Sequence, residues 1–188
     1  MVLGLARGGV PVGWELAAAL GAPLDVFLVR KLGVPQWPEL AMGAIASGGA
    51  VVMNEPVLRN LRITDSQLRE VLERETGELE RRELAYRGGR ERVDVHGKVV
   101  ILVDDGIATG ASMRAAMTAV RTAAPARLIV AVPVGPRRVC QALRPDADEV
   151  VCVAMPARFE AVGQVFADFH QVSDDEVREL LNSPTTGQ

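Results

Sequence analysis

Five short apolar runs punctuate the chain, at residues 2–6, 24–29, 99–103, 128–134 and 150–154. Turn or charged residues bound each run, and none shows the strict alternation of a sheet wetted on one face. That is how strands covered on both sides read. Segments with helical spacing lie between several of them, at residues 12–20, 112–123 and 137–143. The alternation predicts an α/β fold with a mostly parallel central sheet flanked by helices and right-handed crossovers. Ligands of such sheets gather outside the carboxyl ends of the strands.

Two segments depart from this rhythm. Residues 32–49 are rich in Gly and Pro, hold Trp37 and Glu39, and run into 50–53, which reads as a hairpin strand. The stretch of about 32–53 is either a loose connection or a flexible flap over a site. Residues 64–86 predict a long helix, reaching about 87. Thr64 is a good N-cap, Gln67 sits three residues on for the reciprocal bond, and Ile63 and Leu68 are placed as a hydrophobic staple. Leu68, Leu72, Leu79 and Tyr86 then recur with helical spacing.

Residues 69–92 carry seven Glu and seven Arg, with Glu70–Arg74 and Glu78–Arg82 in the favourable i,i+4 order. A solvated helix face is the expectation. Ser173 and Glu176 form a second capping box, with Val172 and Val177 as staple. That helix should cover Val177, Leu180 and Leu181 before the tail 183–188 frays. The chain, 1–188, reads as one domain.

Composition narrows the partners. The 188 residues are 48% hydrophobic, enough for one core, and the net charge is −3. Nothing in that balance favours nucleic acid or an anionic membrane as partner. No stretch has the length of a membrane span, and the start MVLGLARGG lacks the features of a signal peptide, so a cytoplasmic location is expected. Cys140 and Cys152 stand alone, without CxxC spacing, and read as inert buried thiols. Of the 21 basic residues only Lys31 and Lys98 are lysine.

The chemistry concentrates at residues 99–112, VVILVDDGIATGAS. A turn or helix start after a strand leaves backbone N–H groups pointing outward, a ready cradle for an anion. Gly106 and Gly110 let the backbone approach a ligand, and Thr109 and Ser112 add hydroxyls. Asp104 and Asp105 repel a phosphate at contact, but suit vicinal hydroxyls, a cation or a developing positive charge. A ribose 5-phosphate satisfies both halves of the motif. The blander reading is that one aspartate merely caps the turn. There is no GxxxxGK[ST], which excludes a triphosphate P-loop, and GLARGG is not GxGxxG. No acidic residue ends the second run, where Val29-Arg30-Lys31 stands, so a nicotinamide cofactor fits poorly.

HGKVVILVDDGIATGASM resembles the 5-phosphoribosyl-1-pyrophosphate (PRPP) signature of the type I phosphoribosyltransferases. LARGGVPVG, VRKLGVPQWPELAMGAI and FADFHQVSDDEV resemble stretches of a poorly characterised bacterial branch of that family. The resemblance implies a phosphoribosyltransferase-like domain with a small hood and a flexible flap. It assigns Asp104 and Asp105 to the ribose hydroxyls and, mainly through substrate or water, to Mg²⁺. Gly106, Ile107, Ala108, Thr109, Gly110, Ala111 and Ser112 become the 5-phosphate loop. Arg7, Gly8 and Gly9 match the pyrophosphate loop, where a non-proline cis peptide is often found, and Arg30 and Lys31 match the basic pair after the second strand. Members of the branch usually carry a helical segment ahead of the first strand, where this chain begins. That departure bears on base binding and dimer packing more than on the phosphate sites.

The implied reaction moves the 5-phosphoribosyl group from PRPP to a nitrogenous base or related small acceptor, with release of pyrophosphate. Arg7, Arg30 and Lys31 would absorb charge on the leaving group, and the Asp pair would hold the sugar. Glu39 is the candidate contact on the flap. Val134, Gly135 and Phe159 are candidates for the acceptor wall, and a homodimer is expected. His96 and His170 read as structural or surface groups, and Phe166 and Phe169 as packing groups. Two other readings share the same residues: a module that senses PRPP or a nucleotide without transfer, and a Mg-dependent phosphohydrolase.

Overall fold

The computed structural model describes residues 1–183, so the tail residues 184–188 lie outside the described residues. In chain order, β1 (Val2–Leu5) leads through α1 (Gly9–Leu20) to β2 (Leu24–Phe27). Then come β3 (Val29–Val34), β4 (Trp37–Ala46), β5 (Val51–Met53), α2 (Glu55–Asn60) and the long α3 (Asp65–Arg87). The second half alternates β6 (Val99–Val103), α4 (Ala111–Thr122), β7 (Arg127–Val134), α5 (Arg137–Leu143) and β8 (Glu149–Ala154). A 3-10 turn at Val162–Val165 and α6 (Asp174–Asn182) follow.

The expected parallel sheet is present, with strand order β2-β1-β6-β7-β8. From β1 the chain winds one way to β2, and from β6 the other way to β7 and β8. The order therefore reverses between β1 and β6, and that is where an α/β sheet opens its crevice. On one side, Val100, Leu102, Leu128 and Val130 pack with Met113 and Met117 of α4. A second cluster joins Val10, Val26, Leu32, Met42, Leu79, Tyr86 and Val177. Each large aliphatic side chain buried this way contributes about 1.5–3 kcal/mol before entropy is counted. Coverage fades toward the far edge. β8 alternates between exposed and half-buried positions, and Val153 is 82% exposed.

Three expectations need correction. The run at 24–29 is two strands, because the chain changes sheets at Leu28. Its N–H donates to Ser47 Oγ at 2.9 Å, and its carbonyl accepts from Ser47 N–H at 2.8 Å. The Gly- and Pro-rich stretch is an ordered antiparallel sheet, β3-β4-β5, with register shifts around Gly33. Gly and Pro there shape a bulged hairpin, as they do at sheet edges. Helix α1 begins at Gly9, ahead of residue 12, because Pro11 falls in the first turn, where no intrahelical donor is needed.

Both capping boxes form, at Thr64–Gln67 and Ser173–Glu176. The charged run on α3 is only partly solvated. Glu78 does pair with Arg82 at 2.7 Å, but Arg74 turns to Glu75 rather than Glu70. Glu75 is 8% exposed and Arg87 6% exposed. Arg87 reaches the buried Asp25 of β2 at 3.0 Å, and Glu75 receives Arg30 of β3 at 2.9 Å. These pairs fasten the helix to both sheets.

Tyr86, next to Arg87, ties the same end of α3 to α6. Its ring is 2% exposed, and its hydroxyl donates to Asp174 Oδ1 at 2.7 Å, joining α3 to the start of α6. Burial, then the Asp174 bond, pushes the phenol up to about 12. Tyr86→Phe keeps the ring and removes this bond, which is worth about 1 kcal/mol when the acceptor is a half-exposed carboxylate. We expect thermal unfolding to fall by roughly 2–4 °C.

Candidate functional site

The site grows at the reversal point. Parallel pairing sets Gly4 beside Val103, so the turns leaving β1 and β6 emerge side by side. They touch at two glycines. A Cβ at Gly9 would lie 2.8 Å from Asp104 Cα and collide with the Val103 carbonyl, and one at Gly8 would collide with the Asp105 carboxylate. At Gly9, where the obstacle is backbone, only hydrogen fits; at Gly8 a Cβ would displace the Asp105 carboxylate. The Ala6–Arg7 peptide is cis, as the resemblance implies.

Two helices aim their amino ends at this junction. α1 has Gly8 as N-cap and α4 has Gly110, in a left-handed conformation with φ 79°. Neither has a side-chain cap, and neither has an acidic residue in its first turn. Val10 N–H is taken by Arg7 O, Pro11 has none, and Ala111 N–H is taken by Thr109 Oγ1. The donors that remain are Gly9 N–H on α1 and the Ser112 and Met113 N–H groups on α4, and the helix dipoles favour an anion. The β6–α4 loop is rigid at its root and open at its tip. Ile107 N–H donates to Val134 O at 2.9 Å, while Ala108, Thr109 and Ser112 are exposed. Thr109 Oγ1 accepts from Ala111 N–H at 3.3 Å, which leaves the hydroxyl proton free to point outward.

The two carboxylates differ in environment. Burial pushes Asp104 up to about 8, Asp105 adds to the rise, and the bond from Asp105 N–H to Asp104 Oδ1, at 3.0 Å, opposes it. Asp105 is also raised by burial, with the Gly106 N–H counteracting. Asp104 thus holds a proton at neutral pH until something positive or a strong hydrogen-bond donor arrives.

The other basic candidates are distributed. Arg7 stands at the junction, 3.6 Å from Asp174. Arg30 is held by Glu75, and Lys31 pairs with Glu39 at 3.2 Å across the β3–β4 hairpin. Val134 and Gly135 lie buried beneath the loop, Gly135 against Ile107 and Cys140. Phe159 faces a separate cavity of about 410 Å³ with Pro136, Arg137 and Arg138. Cys140 and Cys152, distant in sequence, meet between α5 and β8; both are free thiols, and burial raises Cys152 to about 12.

Phe166 and Phe169, which pack on each other, and the exposed His170 also wall the junction. After β8 the chain crosses back over the sheet, with Val162 packed on Gly106, and delivers Phe166, Phe169 and His170 to the Asp105 side. There a cavity of about 370 Å³ opens among Gly8, Asp105, the two rings and α6. A neighbouring one of about 460 Å³ joins Arg7, Gly8, Asp105 and His170. The available signal was positional: the Ser173 capping box starts α6 and leaves 166–172 as a connection that must return across the carboxyl edge.

A sequence profile described as Phosphoribosyl transferase domain matches residues 1–169. This chain belongs to that family. It is 47% identical over 182 residues to "Putative phosphoribosyl transferase Rv0571c" of Mycobacterium tuberculosis H37Rv and, equally, to "Putative phosphoribosyl transferase MT0597" of strain CDC 1551. Those alignments cover 97% of this chain and 41% of each relative, so the chain spans about two fifths of their length. Among solved structures, TT1426 of Thermus thermophilus superposes with a TM-score of 0.83 and 44% identity, covering 96% of this chain and 85% of that one. Among the described residues no helix is long and apolar enough to cross a membrane.

Proposed function

We propose that the domain binds PRPP at the β1/β6 junction and transfers its phosphoribosyl group to a small nitrogenous acceptor. The observation that carries this reading is the meeting of an Asp–Asp pair with two uncapped helix starts on adjacent parallel strands. The 5-phosphate lies on the loop from Gly106 to Ser112, where amides and the Thr109 and Ser112 hydroxyls donate to it. The ribose diol faces Asp104 and Asp105. Pyrophosphate lies toward Arg7, Gly8 and Gly9, with Lys31 approaching from the hairpin.

The sugar passes through a state with positive charge near the anomeric carbon, which the carboxylates favour while Arg7 and Lys31 favour the departing anion. The β3–β4 hairpin is the flap. Its tip carries exposed Trp37 and Leu40 beside Glu39, apolar surface suited to excluding water when it closes. Among the described residues no group of three or more His, Cys, Asp or Glu could cage a metal. Two carboxylates with substrate phosphates do fit Mg²⁺, which keeps most of its ligands as water and phosphate oxygen. Asp104 and Asp105 would hold that ion, and it would offset the charge of the diphosphate.

The test is pyrophosphate release from PRPP and Mg²⁺ across a panel of acceptors. Acceptor-dependent release supports transfer. Tight PRPP binding without turnover replaces the proposal with sensing, and cleavage of simple phosphate monoesters replaces it with hydrolysis. Thr109→Val should weaken PRPP binding by about 1–3 kcal/mol as a donor to the phosphate is lost. Asp105→Asn keeps the shape, removes a charge, and should lower transfer while thermal unfolding changes little.

A further inference from the structure

The acceptor's chemistry follows from the cavity beside Asp105, if that junction is the PRPP site. Its volume, about 370 Å³, suits one small planar molecule. Pro11, Val12 and Leu180 give it an apolar wall, and Phe166 and Phe169 bring ring centroids 5.1 Å apart at 40°. Phe169 is 49% exposed, so much of its ring is uncovered. The ring is held in place from behind, because a Cβ at Gly163 would lie 2.7 Å from Phe169 Cδ1. A flat ligand therefore has a fixed aromatic surface to stack on.

Carboxylates dominate the polar groups around that surface, while Arg7 lines the adjoining cavity on the Asp105 side and is 3.6 Å from Asp174. Asp105, Asp168, Glu176 and Glu179 line the cavity, and neither Lys nor Arg does. His170 is the single basic group. It is 2.9 Å from Glu176 and 3.3 Å from Asp168, and its pKa is raised, chiefly by the Glu176 bond. That imidazole is already matched by carboxylates and offers little to an incoming anion. Glu176 is committed too, since its other oxygen accepts from Ser173 N–H at 2.7 Å. Glu179 differs: among the described residues its carboxylate has no hydrogen-bond or ion-pair partner, and it faces the cavity from α6.

We propose that this cavity selects a planar acceptor bearing N–H donors or positive charge, an amino- or amidine-substituted ring, and rejects ring carboxylates. Stacking on Phe169 supplies affinity for any flat ring. Glu179, the uncommitted carboxylate, supplies the discrimination, by accepting from exocyclic N–H groups and repelling carboxylate. The acceptor nitrogen then lies on the Asp105 side, next to the sugar.

Benzamidine and benzoate, a cation and an anion of nearly the same shape, separate charge from stacking. Their binding to the full chain is read by NMR titration. We expect benzamidine to bind about tenfold tighter, which is the sum of a modest attraction lost and a modest repulsion gained. Glu179→Gln, an exposed and conservative change, should cut that ratio to about threefold, and Phe169→Ala should weaken both probes. Equal affinities, a preference for benzoate, or a ratio unmoved by Glu179→Gln would overturn the proposal. PRPP with Mg²⁺ is titrated separately by calorimetry. PRPP affinity together with a benzoate preference defeats the acceptor class alone. Absence of PRPP affinity defeats the phosphoribosyl reading and this inference with it.

Discussion

Asp104→Asn should make the ligand-free protein more stable at pH 8 and abolish tight PRPP binding. In the unfolded chain the Asp104 carboxyl ionises near its ordinary value of 3.8, whereas the folded protein holds the proton to about 8. Between those values the unfolded state binds fewer protons, so stability falls as pH rises from about 4 to about 8 and is level outside that window. Each pH unit in the window costs up to about 1.4 kcal/mol. With solvent reaching part of the site, we expect a total near 2–3 kcal/mol. Asparagine cannot ionise, yet its Oδ1 can still accept the Asp105 N–H. The variant should therefore unfold roughly 5–10 °C higher at pH 8, with little difference at pH 4. Melting curves across that range check it, and a variant no more stable at pH 8 would refute the buried-carboxyl account.

The same carboxyl predicts a proton count. If PRPP with Mg²⁺ needs Asp104 ionised, binding at pH 7 releases close to one proton, and calorimetry in buffers of different ionisation enthalpy measures it. Asp104→Asn should remove the release along with the affinity. Stability and function are opposed at one side chain, as at other sites that hold a charge in readiness for a ligand.

How much of this was visible in the residues depends on the range of the interaction. The parallel strands and the caps at Thr64 and Ser173 are local patterns, and they form at or within a few residues of the expected places. The Asp104–Asp105 turn was equally legible, because strand, carboxylates and glycine loop are contiguous. Pairing across the fold was less so. Arg30 and Lys31 are neighbours in sequence, yet one turns to Glu75 on α3 and the other to Glu39 on the hairpin. Alternation along β3 sends adjacent side chains to opposite faces, and nothing local says which face meets a helix. His170 and Phe169 were hidden for a related reason. Their importance comes from a connection that crosses the sheet from β8 to α6, a tertiary path that periodicity does not encode.

Gly9→Ala should be strongly damaging, because among the described glycines Gly9 would bring an added Cβ nearest to backbone atoms. The added carbon would meet the Val103 carbonyl and Asp104 Cα, both backbone atoms of β6 and its turn. No rotamer can relieve such a contact. The β1–α1 turn must move away from β6, separating Arg7 and Gly8 from the Asp pair. We expect a loss of about 2–4 kcal/mol in stability, at the upper end of overpacking costs. PRPP affinity should fall at least tenfold, about 1.4 kcal/mol. Gly77→Ala is the matching control, since Gly77 lies inside α3 with nothing within 4 Å of the Cβ it would gain. Helix propensity alone then acts, and the protein should gain about 0.5–1 kcal/mol. Urea unfolding of the two variants gives the signs directly. Should Gly9→Ala unfold like the parent and bind PRPP as well, the tight meeting of the two turns is not what holds the site together.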